Sequence, residues 1–256
     1  MNAPSLAFRA LAVLGALCSP ALALPGVAPL VENKPIDVDS LAALANAPAI
    51  EDITLAAALV KVKPASQSFT RPVVLPGGQR AVAWSECSKA ACRGSWALLD
   101  GDNENLKVVA RGPLPVKEKV HFDDGYTFSG TTVADLDGRG HVEVLFHYQI
   151  TEPPRGALGS MSRDFVTMLD PAAKKVLFHH ELKHAGAPSE PSCSYTLVDR
   201  VERGLPAIEV QGSCALRSCL ESRKPPATCA PPVVSKQTFR YGKAGFVLAP
   251  PAPAAH

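Results

Sequence analysis

The residues best suited to catalysis lie in the segment His180-Glu181-Leu182-Lys183-His184. On a helix, this H-E-x-x-H spacing places both imidazoles on one face, about 6 Å apart. There they can share a zinc ion while the glutamate acts as the general base of a peptidase. The segment therefore gives one hypothesis for the function, a secreted zinc metallopeptidase that uses His180, Glu181 and His184.

The residues around this segment favour a different conformation. Val176-Leu177-Phe178 follows the turn signal Asp170-Pro171 and is typical of the return strand of a hairpin. On a strand, His180 and His184 would lie roughly 13 Å apart, which is too far for one ion. A third histidine at metzincin spacing is also missing, because Glu190 occupies that position. We therefore predict that the protein is not an enzyme and has no catalytic residues.

Composition limits the remaining classes of function. The chain carries 26 Lys and Arg against 24 Asp and Glu, a formal charge of +2, and its basic residues are scattered. A dedicated nucleic-acid groove would need clustered positive charge, so we expect no nucleic-acid partner. The 24 prolines argue against a long helical bundle. A mean hydropathy of +0.07 is too high for a wholly disordered chain.

Residues 1–23 have the pattern of a secretory signal peptide. Arg9 precedes an apolar stretch over Ala10–Leu17, and Ala21-Leu22-Ala23 is a cleavage site of the small-x-small type. Cys18 is a poor lipid-attachment site, because the bulky Leu17 stands before it. Later apolar runs are too short to cross a bilayer. We predict an exported protein, periplasmic or extracellular, with no transmembrane segment in the mature chain.

The cysteines agree with an oxidising compartment. Removal of the signal peptide leaves an even number, which is typical of three disulfides: Cys87, Cys92, Cys193, Cys214, Cys219 and Cys229. Six cysteines allow fifteen pairings, so only local structure can narrow the choice. Proximity favours Cys87–Cys92, and a hairpin turning at Arg203-Gly204 would place Cys193 opposite Cys214. Cys219 and Cys229 then remain for each other across a Pro-rich loop, and a zinc site is disfavoured by the Cys-x4-Cys spacing.

The elements that would position these residues are mainly strands. From Thr70 onward, short apolar runs alternate with Gly, Pro, Asp and Asn, which predicts strands at the following positions: Gln79–Trp84, Ser95–Leu99, Leu106–Ala110, Lys119–Phe122, Thr131–Ala134, Val142–Gln149, Asp164–Leu169, Lys175–Leu182, Tyr195–Asp199, Ala207–Val210 and Gln237–Tyr241. Many short strands at this spacing predict a mainly β fold of antiparallel meander sheets, either partly propeller-like or a sandwich.

The domain organisation follows from the same pattern. After the signal peptide, residues 24–69 are predicted to form a Pro-rich arm with short helices at Leu41–Asn46 and Ile53–Val60. Residues 70–248 form the disulfide-stapled β domain, and residues 249–256 a disordered tail.

One loop resembles a known family. The segment Asp135-Leu136-Asp137-Gly138-Arg139-Gly140, followed by His141-Val142-Glu143-Val144, is similar to the loop of FG-GAP/VCBS repeats. Those repeats build β-propeller blades in integrin α chains and many exported bacterial proteins, and their loop often holds calcium. The resemblance implies that Asp135, Asp137 and Glu143 are calcium ligands and that Gly140 is the turn glycine.

Arg139 departs from the family pattern, since it stands where a third acidic ligand is usual. The alternative is therefore a structural turn in which the aspartates bond the loop backbone. A fainter copy of the loop lies 64 residues later, where Asp199 and Gly204 have the separation of Asp135 and Gly140. Its strand Ile208-Glu209-Val210 matches Val142-Glu143-Val144 once two extra residues are allowed.

These features predict an exported, non-catalytic β-repeat protein that acts in binding or as a structural module of the cell envelope. Its expected partner is an unidentified protein or polysaccharide, and calcium is the one candidate cofactor. The zinc metallopeptidase is the alternative, and the local structure of residues 176–184 discriminates between the two.

Overall fold

The structure, a computed structural model, describes residues 50, 52–59, 66–88, 91–102, 105–116, 125–135, 140–152, 161–187, 189–202, 205–221 and 229–250. These ranges contain the helices α1 (Asp52–Leu59) and α2 (Arg217–Glu221). Their strands are β1 (Ser66–Phe69), β2 (Val73–Val74), β3 (Arg80–Cys87), β4 (Cys92–Asp100), β5 (Lys107–Pro113), β6 (Gly125–Ala134), β7 (Glu143–Glu152), β8 (Met161–Asp170), β9 (Lys175–Ala185), β10 (Pro191–Glu202), β11 (Leu205–Leu216), β12 (Val233–Gly242) and β13 (Gly245–Leu248). Neither helix has the length and apolar character needed to cross a membrane.

The described strands form two antiparallel sheets, one of five strands and one of eight, which divide into three meanders. In the first meander, β1 and β2 pair in turn along one side of β3, and β4 and β5 follow. The remaining strands are hydrogen-bonded in chain order from β6 to β13. However, β9 and β10 are joined by only two residue pairs, Cys193 with His184 and Ser194 with Lys183. We therefore describe β6–β9 as the second meander and β10–β13 as the third.

The meanders pack on one another through two apolar clusters. The first cluster joins Ala83 and Leu98 of the first meander to Phe146 and Ile150 of the second. In the other, Phe178 of β9 contacts two rings of the third meander edge-on, with centroids 5.2 Å and 6.1 Å away. The prediction of a mainly β fold of antiparallel meander sheets is confirmed.

The outer side of the first meander is covered by α1, where Leu55 and Leu59 pack against Val82 and Leu99. Strands β3 and β4 are thus buried on both faces, which explains why each contains an uninterrupted apolar run, Ala81–Trp84 and Trp96–Leu99, instead of an alternating pattern. At the edge, β5 alternates between half-buried and exposed residues, because only one of its faces is covered.

The predicted elements compare closely with those observed. α1 coincides within one residue with the helix predicted at Ile53–Val60, and ten of the eleven predicted strands lie within β3–β12 or overlap them. Three strands were not predicted, because β1 lies in the expected arm, β2 has only two residues, and β13 is the short return of a hairpin. The signal peptide, the helix at Leu41–Asn46, the strand at Lys119–Phe122 and most of the tail lie outside the described residues.

The three predicted disulfides are present in the structure. Cys87–Cys92 closes the β3–β4 hairpin, and Cys193–Cys214 joins residues directly opposite each other on β10 and β11. Cys219–Cys229 ties α2 to the segment before β12. The hairpin argument for Cys193–Cys214 is confirmed by the register of β10 and β11, which runs to Glu202 opposite Leu205.

Candidate functional site

The H-E-x-x-H segment lies on β9, and its two histidines point to opposite faces of the sheet. His180 packs edge-on against Tyr195 and Phe239, with centroids 5.4 Å and 5.7 Å away, between the second and third meanders. His184 is on the other side, where its Nδ1 lies 3.3 Å from Oε1 of Glu181. A zinc peptidase needs both imidazoles on one side of its helix, and this strand separates them.

A bulge in β9 produces this separation. Glu181 pairs with Phe165 and Lys183 with Asp164, so Leu182 is an extra residue between them. Without the bulge, the strict alternation of a strand would place residues 180 and 184 on the same face. The extra residue shifts the alternation of side chains by one position, so His184 lies on the same face of the sheet as Glu181.

Purified protein is expected to carry no stoichiometric zinc, because the H-E-x-x-H segment lies on a strand that separates His180 from His184. Elemental analysis of the mature chain checks this expectation. About one zinc per chain that disappears in His180→Ala, with His141→Ala as the control, would restore the metallopeptidase hypothesis.

The acidic loop connects β6 to β7. The carboxylate of Asp135 accepts a hydrogen bond from the backbone N–H of Gly140 at 3.0 Å, and Gly140 has the positive φ of 77° that suits a turn glycine. Glu143 begins β7 and is buried, with 5 % exposure. Asp137 and Arg139 lie outside the described residues. The Asp135 contact is the one that a structural turn requires.

The segment that was predicted to be a fainter copy of this loop belongs to the β10–β11 hairpin, where Asp199 is paired with Ile208 inside the strands and Gly204 lies outside the described residues. Its glutamate, Glu209, is buried like Glu143, and the two are the buried carboxylates of the described chain. The carboxylate of Glu209 accepts two hydrogen bonds, one from Nζ of Lys236 at 2.7 Å and one from Nε2 of Gln211 at 2.6 Å. The hydrogen bond from Lys236 has the largest effect and that from Gln211 the next, and together they hold the pKa of Glu209 below its usual range. In this segment the glutamate therefore forms an ion pair with Lys236 of the neighbouring strand and is not available to bind a metal.

We expect Arg139→Asp to strengthen calcium binding well beyond that of the native loop. The change restores the alternating oxygens implied by the family resemblance and removes about two units of adverse charge. Calcium should then also raise the melting temperature, since it binds only the folded state. Calorimetric titration of both proteins decides the matter, with Asp135→Ala in the Arg139→Asp background as the control. Absence of binding by Arg139→Asp would show that the loop is not the family's loop.

A cleft of about 400 Å³ opens on the second meander beside the H-E-x-x-H segment. Successive cross-strand pairs place one polar residue on each of five strands in a single row, and every member lines the cleft: Thr127, Gln149, Asp164, Lys183 and Ser194. Paired residues of adjacent strands share a face, so these side chains project to the same side. Ser129, His147 and Leu182 complete the wall.

Hydrogen bonds hold the centre of this row in place. Gln149 donates through Nε2 to Oδ1 of Asp164 at 2.6 Å and accepts from the hydroxyl of Thr151 at 3.1 Å. Gln149 thereby fixes the orientation of the carboxylate. Asp164 and Lys183 are direct cross-strand partners, yet no ion pair joins them among the described residues.

His147 provides the one imidazole of the cleft. Its Nε2 lies 3.3 Å from the hydroxyl of Thr132, and burial lowers its pKa because the charged form loses hydration. At neutral pH the ring is therefore uncharged and offers one donor and one acceptor. The cleft as a whole is electrically balanced, with one carboxylate against one ammonium.

The cleft could not be found by sequence reasoning, because its row comes from five strands and no two members are close in the sequence. The one sequence motif near the cleft is the H-E-x-x-H segment, which contributes Leu182 and Lys183 to the cleft wall, whereas its two histidines do not line the cleft.

Comparison with known proteins adds no relative to this description: the chain matches no family model, no curated protein and no solved structure.

Proposed function

We propose that this chain is an exported, non-catalytic β-repeat protein that binds a small polar ligand in the cleft across β6–β10. The observation that carries the proposal is the transverse row of Thr127, Gln149, Asp164, Lys183 and Ser194. Concave sites with a few convergent polar groups are the usual ligand sites of proteins. Gln149 pre-orients the carboxylate, which reduces the ordering cost of binding.

The surroundings of the cleft support binding over catalysis. At the wall of the cleft, the imidazole of His147 contacts the hydroxyl of Thr132. Among the described residues, no carboxylate forms a hydrogen bond with this imidazole. A hydrolytic triad needs such a group to orient and stabilise the imidazole. The remaining polar groups of the cleft are hydroxyls, one amide and one balanced pair of charges, which suit recognition.

Two further features support the export and repeat parts of the proposal. Three disulfides are typical of an oxidising compartment outside the cytosol. The β6–β7 and β10–β11 hairpins of the eight-stranded sheet place Asp135 and Asp199 each one residue beyond a pair with a buried glutamate, Ala134 with Glu143 and Val198 with Glu209, and this likeness favours a degenerate repeat of the FG-GAP/VCBS type.

Nuclear magnetic resonance of the isotope-labelled mature chain tests the binding function. We expect at least one of two classes of small molecule, neutral sugars or zwitterionic peptides, to shift the backbone amides of β6–β10 in a saturable way and to be recovered unchanged. Shifts caused by neither class, or conversion of a probe into product, would refute the proposal.

A further inference from the structure

We infer that the ligand of the cleft is a neutral sugar residue, an inference that rests on the proposed binding function and specifies its ligand. The argument uses the charges, the hydroxyl groups and the size of the cleft, in that order.

The charges of the cleft exclude ligands with a net charge. Asp164 and Lys183 face the same space from neighbouring strands, so an anion attracted by the ammonium is opposed by the carboxylate, and a cation is opposed in the reverse sense. Gln149 occupies Oδ1 of Asp164, which leaves Oδ2 to accept from a ligand. The pair thus presents a strong acceptor and a strong donor about one strand spacing, roughly 4.8 Å, apart.

Sugar hydroxyls match this arrangement. Each hydroxyl both donates and accepts, so two hydroxyls on one ring can donate to Asp164 and accept from Lys183 at the same time. The row extends on both sides with the hydroxyls of Thr127 and Ser194, and Ser129 adds a third. A zwitterion would use the two charges but would leave these hydroxyls without ligand partners.

The size and floor of the cleft agree with a sugar held weakly. A volume of about 400 Å³ lies in the lower part of the range for small-molecule sites. The rings of Tyr148 and Phe165 stack on each other on the opposite face of the sheet, with centroids 5.5 Å apart, and both residues are buried. They offer no exposed face for stacking, so we expect millimolar affinity for a single sugar residue.

The test is a titration of the isotope-labelled mature chain with methyl glucoside, methyl galactoside and N-acetylglucosamine, and separately with glycylglycine. We expect a sugar to shift the amides of the cleft strands. Asp164→Asn and Lys183→Met should each weaken its binding about tenfold, the usual cost of losing a charged hydrogen bond.

Matched controls are available outside the cleft. Asp170→Asn removes a carboxylate from the same strand while the amide still caps the turn at Ala173, and Lys243→Met removes an exposed ammonium. Both should leave the dissociation constant within about a factor of two. Because Lys183 is exposed, its replacement should not disturb folding, which a one-dimensional spectrum verifies.

Each outcome bears on a different claim. If glycylglycine alone shifts the cleft, the sugar inference is wrong and the binding function stands. If neither class shifts the amides of the cleft strands, both claims are wrong. Equal binding by the cleft variants and the controls would also overturn the sugar inference.

Discussion

Replacing Gly245 by alanine is expected to lower the free energy of unfolding by about 3 kcal/mol. Gly245 starts β13 with a φ of 110°, which side chains rarely tolerate. A Cβ there would lie 2.4 Å from the carbonyl oxygen of Leu177 on β9, and that oxygen belongs to backbone that cannot rotate away. This contact is where the third meander closes onto the second, and Lys175 supports it by donating to the carbonyl of Lys243 at 3.0 Å.

Gly242→Ala is the matched control, because it makes the same change in the same hairpin. Its Cβ would meet nothing closer than 3.8 Å, and Gly242 has no positive φ. Chemical denaturation of both variants measures the difference, and the control should stay within about 0.5 kcal/mol of the wild type. Equal stability of the two variants would contradict the packing of β13 on β9.

Removing the Cys193–Cys214 bridge with two alanines should cost about 3 kcal/mol, the loop-closure value for a sequence separation of 21. The bridge staples the first two strands of the third meander, whose start holds Ser194 at the end of the cleft. Cleft affinity should therefore fall together with stability. Denaturant unfolding of the oxidised wild type and of the double variant measures the loss.

The neighbouring cross-strand pair provides the control for the stability change alone, since Ser194 itself lines the cleft. Ser194 and Ser213 are also directly opposite each other, without a covalent bond, and their double alanine variant should be nearly neutral in stability. A Cys87–Cys193 peptide in the map of the non-reduced protein would contradict the pairing itself, and an unchanged unfolding curve would show that the bridge contributes nothing.

Most of the fold was predictable because its signals are local. Turn residues such as Asp100-Gly101 and Asp170-Pro171 mark the ends of strands, and the structure shows the aspartate of each turn accepting a backbone hydrogen bond. The disulfides were predictable for the same reason, since each closes a short segment. The stacking of the meanders was less accessible, because it depends on pairs such as Phe178 with Phe239, which no local pattern connects.

The candidate site was much less predictable. The H-E-x-x-H segment carried the strongest motif, and its conformation on β9 agrees with the predicted hairpin. The bulge at Leu182, however, decides which side chains meet, and nothing in the sequence marks it. The cleft depends on cross-strand register over β6–β10, and register comes from the pairing of whole strands.

The consecutive pairing of the cysteines has a consequence for biogenesis. Each bridge links a cysteine to the next one along the chain from Cys87 onward, with separations of 5, 21 and 10 residues. A chain that emerges from its N-terminus exposes the cysteines in that order, so an oxidant that acts on the first available thiols produces the native pairs directly. Non-consecutive pairing would need thiol–disulfide exchange to correct early mistakes. With this pairing an oxidase alone is sufficient to produce the native bridges, and no isomerase is required.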